Sequence, residues 1–109
     1  MTRKTGFVIV STTVARKAEA EKLANLIVGL KLAACVQYMP IRSVYRWKGA
    51  VESGAEFLLL AKTTASASKR LVSAIKKNHA YEVPEILVTP VTGGFAGYLS
   101  WISEETRST

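Results

Sequence analysis

A chain of 109 residues, 49% of them apolar, is the size of one domain and can build one hydrophobic core without staples, so the reading is a single domain over residues 1–109. Fifteen Lys and Arg against eight Asp and Glu leave a formal charge of +7, but the excess sits largely in Arg16, Lys17, Lys22, Lys69, Arg70, Lys76 and Lys77, where solvated helix faces account for it without a nucleic-acid partner. The single Cys35 excludes an intrachain disulfide and fits a reducing, cytoplasmic setting, and no apolar stretch approaches the ~20 residues of a membrane span.

Phe7 to Val10 is a β-branched run bounded by Gly6 and the Ser11-Thr12-Thr13 cluster, which predicts a short central strand; it is too brief for a secretion signal. Thr13 is the expected cap of a first helix running from Arg16 to about Leu30. Ala20, Leu23, Ala24 and Ile27 recur there at helical spacing, opposite Lys17, Glu21, Lys22 and Asn25. Gly29 is expected to close the last turn with positive φ. Ala33 to Trp47 is rich in Val, Ile and Tyr and interrupted only by Pro40, which removes a ladder donor and predicts a bulge or an edge strand. Lys48-Gly49 marks a turn, and Val51 to Lys62 returns as the partner strand of a long hairpin.

A second helix follows, capped by Thr63, Thr64 or Ser66 and striped by Ala67, Leu71, Val72 and Ile75, until Asn78 and His79 end it. Ile86 to Val91 reads as a fourth strand, Gly93-Gly94 breaks it, and Tyr98, Leu99, Trp101 and Ile102 predict a short closing helix. The order β-α-β-β-α-β plus a C-terminal helix is the split, ferredoxin-like α+β arrangement, with both long helices on one face of an antiparallel sheet. Hairpin strands of about a dozen residues exceed the usual ~5 to 6, and a free edge of that length is a hazard unless another chain pairs with it.

Specific residues then converge on one family. Leu32-Ala33-Ala34-Cys35-Val36, Pro40, Ser43, Tyr45, Trp47-Lys48-Gly49, Lys62-Thr63, His79, Tyr81-Glu82-Val83-Pro84-Glu85-Ile86 and Tyr98-Leu99-Ser100-Trp101 together resemble the divalent-cation tolerance (CutA) family, from about Phe7 to Ser103. The resemblance implies a ferredoxin-like homotrimer akin to PII-type signalling proteins, non-enzymatic, and associated with tolerance to copper and other divalent metals. It further implies that clefts between subunits hold a ligand or metal, with Cys35, Lys62, Tyr81 and Glu85 as the expected lining. The copper ligands attributed to the family are a cysteine at the end of the first strand and a histidine pair before the tyrosine. Ser11 and Thr12 stand at the first position and Asn78 and His79 at the second, so His79 alone is a candidate ligand for Cu2+, and no cofactor is assigned.

One imidazole does not hold a transition metal tightly, and a helix-ending group favoured by the C-terminal dipole is the preferred reading of His79. Cys35, after two alanines, fits structural burial. Lys62, ending an apolar strand, would cost several kcal/mol if buried unpaired, so Glu82 or Glu85 is its expected partner. Tyr45, Trp47 and Trp101 are amphipathic groups suited to a subunit interface.

A regulatory or scaffolding trimer with purely structural clefts is the alternative. An RNA-recognition module shares the topology, yet Glu56-Phe57-Leu58-Leu59-Leu60-Ala61-Lys62 lacks its stacking aromatics and glycine. A two-cysteine metallochaperone is excluded by the lone cysteine, and an acylphosphatase-like hydrolase is unsupported, because residues 11–16 supply Arg16 but no glycine to open a phosphate loop.

Overall fold

Side-chain alternation builds the sheet. In β1, Phe7–Val14, the residues Val8, Val10, Thr12 and Val14 are buried beneath the helices, while Phe7, Ile9 and Ser11 face the other way. The computed structural model describes residues 5–107. Its order is β1, α1 (Lys17–Gly29), β2 (Cys35–Trp47), β3 (Ala50–Thr64), α2 (Ala65–Lys77), β4 (Ile86–Pro90) and α3 (Ala96–Glu105). The four strands form one antiparallel sheet in the order β2-β3-β1-β4. This is the ferredoxin-like α+β arrangement that the element order predicts.

The first strand is longer than its apolar run. Ser11, Thr12 and Thr13 belong to β1 rather than ending it, since β-branched threonines suit a pleated surface. Thr13 therefore does not cap α1; that position falls to Arg16, whose side chain makes no capping bond. Gly29 does not take the left-handed conformation either, which Lys31 adopts (φ 59) after the helix has ended. Of the three candidates for the second cap, Thr64 serves: its hydroxyl accepts from the Ala67 N–H at 3.2 Å. Pro40 lies in β2, an edge strand, where a missing donor costs little.

Helices α1 and α2 cover one face. Ala20, Leu23, Ala24 and Ile27 of α1 and Leu71 and Ile75 of α2 meet Val8, Val10, Val14, Leu59 and Ala61 in the core. The hydroxyl of Thr12, in the same layer, is buried without a hydrogen-bond partner among the described residues.

β1 pairs with β3 only between Phe7↔Thr64 and Val14↔Phe57, whereas the β2–β3 ladder continues from Cys35↔Lys62 to Trp47↔Ala50. Residues 41–47 and 50–56 therefore project as a two-stranded arm of roughly 20 Å. The radius of gyration, 14.6 Å, exceeds the about 13 Å expected of a compact chain of this length. At the arm's tip Lys48 (φ 49) and Gly49 (φ 83) are both left-handed, the two-residue turn whose twist matches a hairpin. The arm buries almost nothing: Val44 is 74% and Val51 66% exposed.

Candidate functional site

Strand parity sets the residues of the uncovered sheet face. Cys35, Gln37 and Met39 of β2, Glu56, Leu58, Leu60 and Lys62 of β3, Ile9 and Ser11 of β1 and Leu87 of β4 share it. Lys62 stands between Ile9 and Cys35, its cross-strand neighbours. Its ammonium donates to the Gln37 carboxamide oxygen. The carboxylate expected for it, Glu82 or Glu85, does not meet it within the chain; among the described residues the one ion pair is Lys17 with Glu21 on α1. A neutral amide two residues along the adjacent strand satisfies the charge instead, at the same side-chain level of the sheet.

The phenol of Tyr98, on α3, lies against the Cys35 thiol, and burial followed by that thiol pushes its pKa up. The Tyr98 and Trp101 rings stack with centroids 5.5 Å apart, and Trp101 remains 39% exposed. Cys35, Lys62, Gln37 and Tyr98 thus make one cluster where β2 begins and β3 ends.

A second cluster lies at the other end of β1. His79 follows α2 in the loop to β4 rather than ending the helix, which stops at Lys77 with Asn78 as its cap. Its Nε2 bonds the Thr13 carbonyl at 2.6 Å, and its Nδ1 accepts from the Tyr81 N–H at 3.1 Å. That pair of partners fixes the neutral tautomer with the proton on Nε2. Both ring nitrogens are engaged, so metal ligation would have to displace one of these bonds. Tyr81 packs on the imidazole with centroids 4.8 Å apart and donates its hydroxyl to Glu56 at 2.9 Å. Burial first, and then the Glu56 carboxylate, push the Tyr81 pKa up to about 12, which keeps the phenol protonated and donating.

The two clusters share a face but not a cleft. Glu56 and Lys62 are six residues apart on β3, about 20 Å at ~3.3 Å per residue. Cys35 and Lys62 are therefore brought together, Tyr81 is held at the far end, and Glu85 is exposed beside β4 without a side-chain partner among the described residues. Tyr45 and Trp47, on the arm, line a pocket with Tyr81. Gln37, Glu56 and Tyr98 were not among the expected site residues. Gln37 and Glu56 carried a signal in their even spacing from Cys35 and Lys62, whereas the docking of Tyr98 had none. Among the described residues no three His, Cys, Asp or Glu side chains cluster in a way that would hold a metal.

The family model for the CutA1 divalent ion tolerance protein matches residues 8–105. The chain belongs to this family. Among curated CutA relatives, the chloroplastic protein of Arabidopsis thaliana is 45% identical over 93% of this chain and 56% of its own length. The divalent-cation tolerance protein of Pectobacterium atrosepticum is 39% identical over 92% of both. The chain thus spans little more than half of the plant relative and nearly all of the bacterial one. Among solved structures, CutA1 of Oryza sativa superposes with a TM-score of 0.90 at 41% identity, covering 99% of this chain and 98% of that one. The Archaeoglobus fulgidus CutA, described as periplasmic, gives 0.91 at 32% identity over 93% and 99%. These relatives come from different compartments, so kinship does not decide the cytoplasmic expectation. Among the described residues no helix is long and apolar enough to cross a membrane.

Proposed function

We propose that this CutA-family chain acts in divalent-cation tolerance as a homotrimer, holding a metal ion or small ligand in clefts between subunits. The separation of its two polar clusters supports the reading. A cleft lined by Cys35 and Lys62 and also by Tyr81 and Glu85 cannot form within one chain, because about 20 Å of β3 lies between its halves. Two chains can supply one half each. The arm gives them the means: the outer edge of β2 and the segment of β3 beyond Phe57 offer unpaired backbone groups. Tyr45, Trp47 and Trp101 provide exposed aromatic surface for the contact. No catalytic step is proposed.

Cys35 is the one thiol of the chain, and Cu2+, which N, O and S ligands hold most tightly among divalent first-row metals, is the metal to test first. Sedimentation velocity of the purified protein should give the mass of a trimer, and calorimetric titration should show saturable Cu2+ binding, weakened by about tenfold or more in Cys35→Ser. His79→Ala should leave that affinity nearly unchanged, since its nitrogens are already bonded. A monomer in solution, or a titration without saturable heat, would sink the reading.

A regulatory or scaffolding trimer is the second reading. The observation that favours it is that Lys62 and His79 are both satisfied inside the chain. A trimer that takes up neither Cu2+ nor Zn2+ would establish it over the first.

A further inference from the structure

Where α2 begins and α3 ends, Ser66 and Arg70 of the one and Ser103, Thr106 and Arg107 of the other line a pocket of about 310 Å³. Two guanidinium groups contribute to it and no carboxylate does. We propose that this pocket binds a phosphate group, gripped between Arg70 and Arg107.

Two cations brought to one concavity repel each other unless an anion stands between them. None is supplied by the neighbouring side chains. Helix α2 contains no Asp or Glu, and although Glu104 and Glu105 precede Arg107, neither lines the pocket. Among the described residues the one ion pair, Lys17 with Glu21, involves neither arginine. A guanidinium presents its N–H groups as a planar fork that matches two oxygens of a phosphate at once, and it sheds water more readily than an ammonium.

The hydroxyls on the wall complete the donor set. Thr64 Oγ1 accepts from the Ala67 N–H at 3.2 Å and lies 3.1 Å from Ser66 Oγ. With its own proton given to Ser66, it leaves the Ser66 proton free for a ligand, and Ser103 offers a second. Thr106 adds none, since its hydroxyl donates to the Ile102 carbonyl at 2.8 Å. The field at the start of α2 favours an anion as well, in support of the two guanidiniums. The volume stands at the lower end of the ≈300–1,000 Å³ typical of ligand pockets, which suits a phosphate with a small remainder. No residue of either polar cluster on the sheet lines it, so this inference rests neither on metal binding nor on the clefts between subunits.

The phosphate has two sources, the inorganic ion or a small phosphorylated molecule, and the test separates them. The purified chain is titrated calorimetrically with sodium phosphate and with glycerol 3-phosphate, at constant ionic strength set by sodium chloride. Saturable heat is expected, with affinity reduced about tenfold or more by Arg70→Gln and by Arg107→Gln. Both positions are exposed, so the variants should keep the fold, which circular dichroism checks. Lys69→Gln removes the same charge one residue away, from a side chain that lines a different groove, and should change affinity by less than about twofold. Tighter binding of the inorganic ion assigns the pocket to free phosphate, and tighter binding of the ester assigns it to a phosphorylated molecule. Absence of saturable heat from both probes, unchanged affinity in the two arginine variants, or an equal loss in Lys69→Gln overturns the proposal.

Discussion

The four-stranded body and the two-stranded arm are made from the same strands but held by different forces. In the body, Leu59 of β3 is 1% exposed beneath α1 and α2, and the apolar layer of both sheet and helices is closed within one chain. In the arm, the same β3 carries Val51, two-thirds exposed, on one side and Glu52 on the other, with no helix over either. Backbone pairing alone rarely stabilises an isolated two-stranded ribbon in water. The body thus contains its own reason to fold, whereas among the described residues no helix covers the arm.

The sharpest way to break this comparison is to shorten the arm. Removing residues 44–53 and joining Ser43 to Gly54, a cross-strand pair, through an Asn-Gly turn leaves every body residue in place. The expected outcome is complete loss of self-association by light scattering with helical circular dichroism retained. An unchanged mass would show that the arm is not the assembly element.

A smaller effect is expected from the core. Leu71, fully buried, has no room to be replaced from outside, and Leu71→Ala should destabilise the fold by about 2–5 kcal/mol in urea unfolding. A loss below about 1 kcal/mol would mean that the helical layer is less tightly packed than its burial implies.

The smallest effect concerns the joint between body and arm. Folding raises the Tyr81 pKa from 10.0 to about 12, so the folded chain holds that proton more tightly than the unfolded one. The stability it adds is present in full below the unfolded pKa and is lost as pH rises through the folded value. Ultraviolet titration should therefore show a late phenolate step near pH 12 that disappears in Tyr81→Phe. Ionisation of all tyrosines near pH 10 would remove the Glu56 contact from the account.

Much of the sheet could be read in advance, and the reason is periodicity. Helical spacing in Ala20, Leu23, Ala24 and Ile27 named the buried face of α1, and the Lys48-Gly49 turn fixed the hairpin. A two-residue turn pairs Trp47 with Ala50, and counting back along both strands then places Cys35 opposite Lys62. Threonines were misread as a terminus because their hydroxyls suggest caps, although β-branching also suits strands. The resemblance named His79 and Tyr81 of the second cluster, but their contacts were not legible. Nothing in the spacing of residues 78–85 says that the loop crosses the end of β1, where His79 finds the Thr13 carbonyl and Tyr81 finds Glu56. Those contacts depend on the path of an irregular segment through space, which no period encodes.

The arm's two borders also bear on symmetry. One belongs to β2 and the other to β3, so they are unlike surfaces. A twofold pair joins a patch to its own copy, but in a ring of three each contact joins two different patches, head to tail. A chain with two dissimilar open borders is suited to that geometry, and the angle between successive copies decides whether the series closes. Closure gives a finite particle with no border left free. An angle that misses closure turns the same contact into a growing filament.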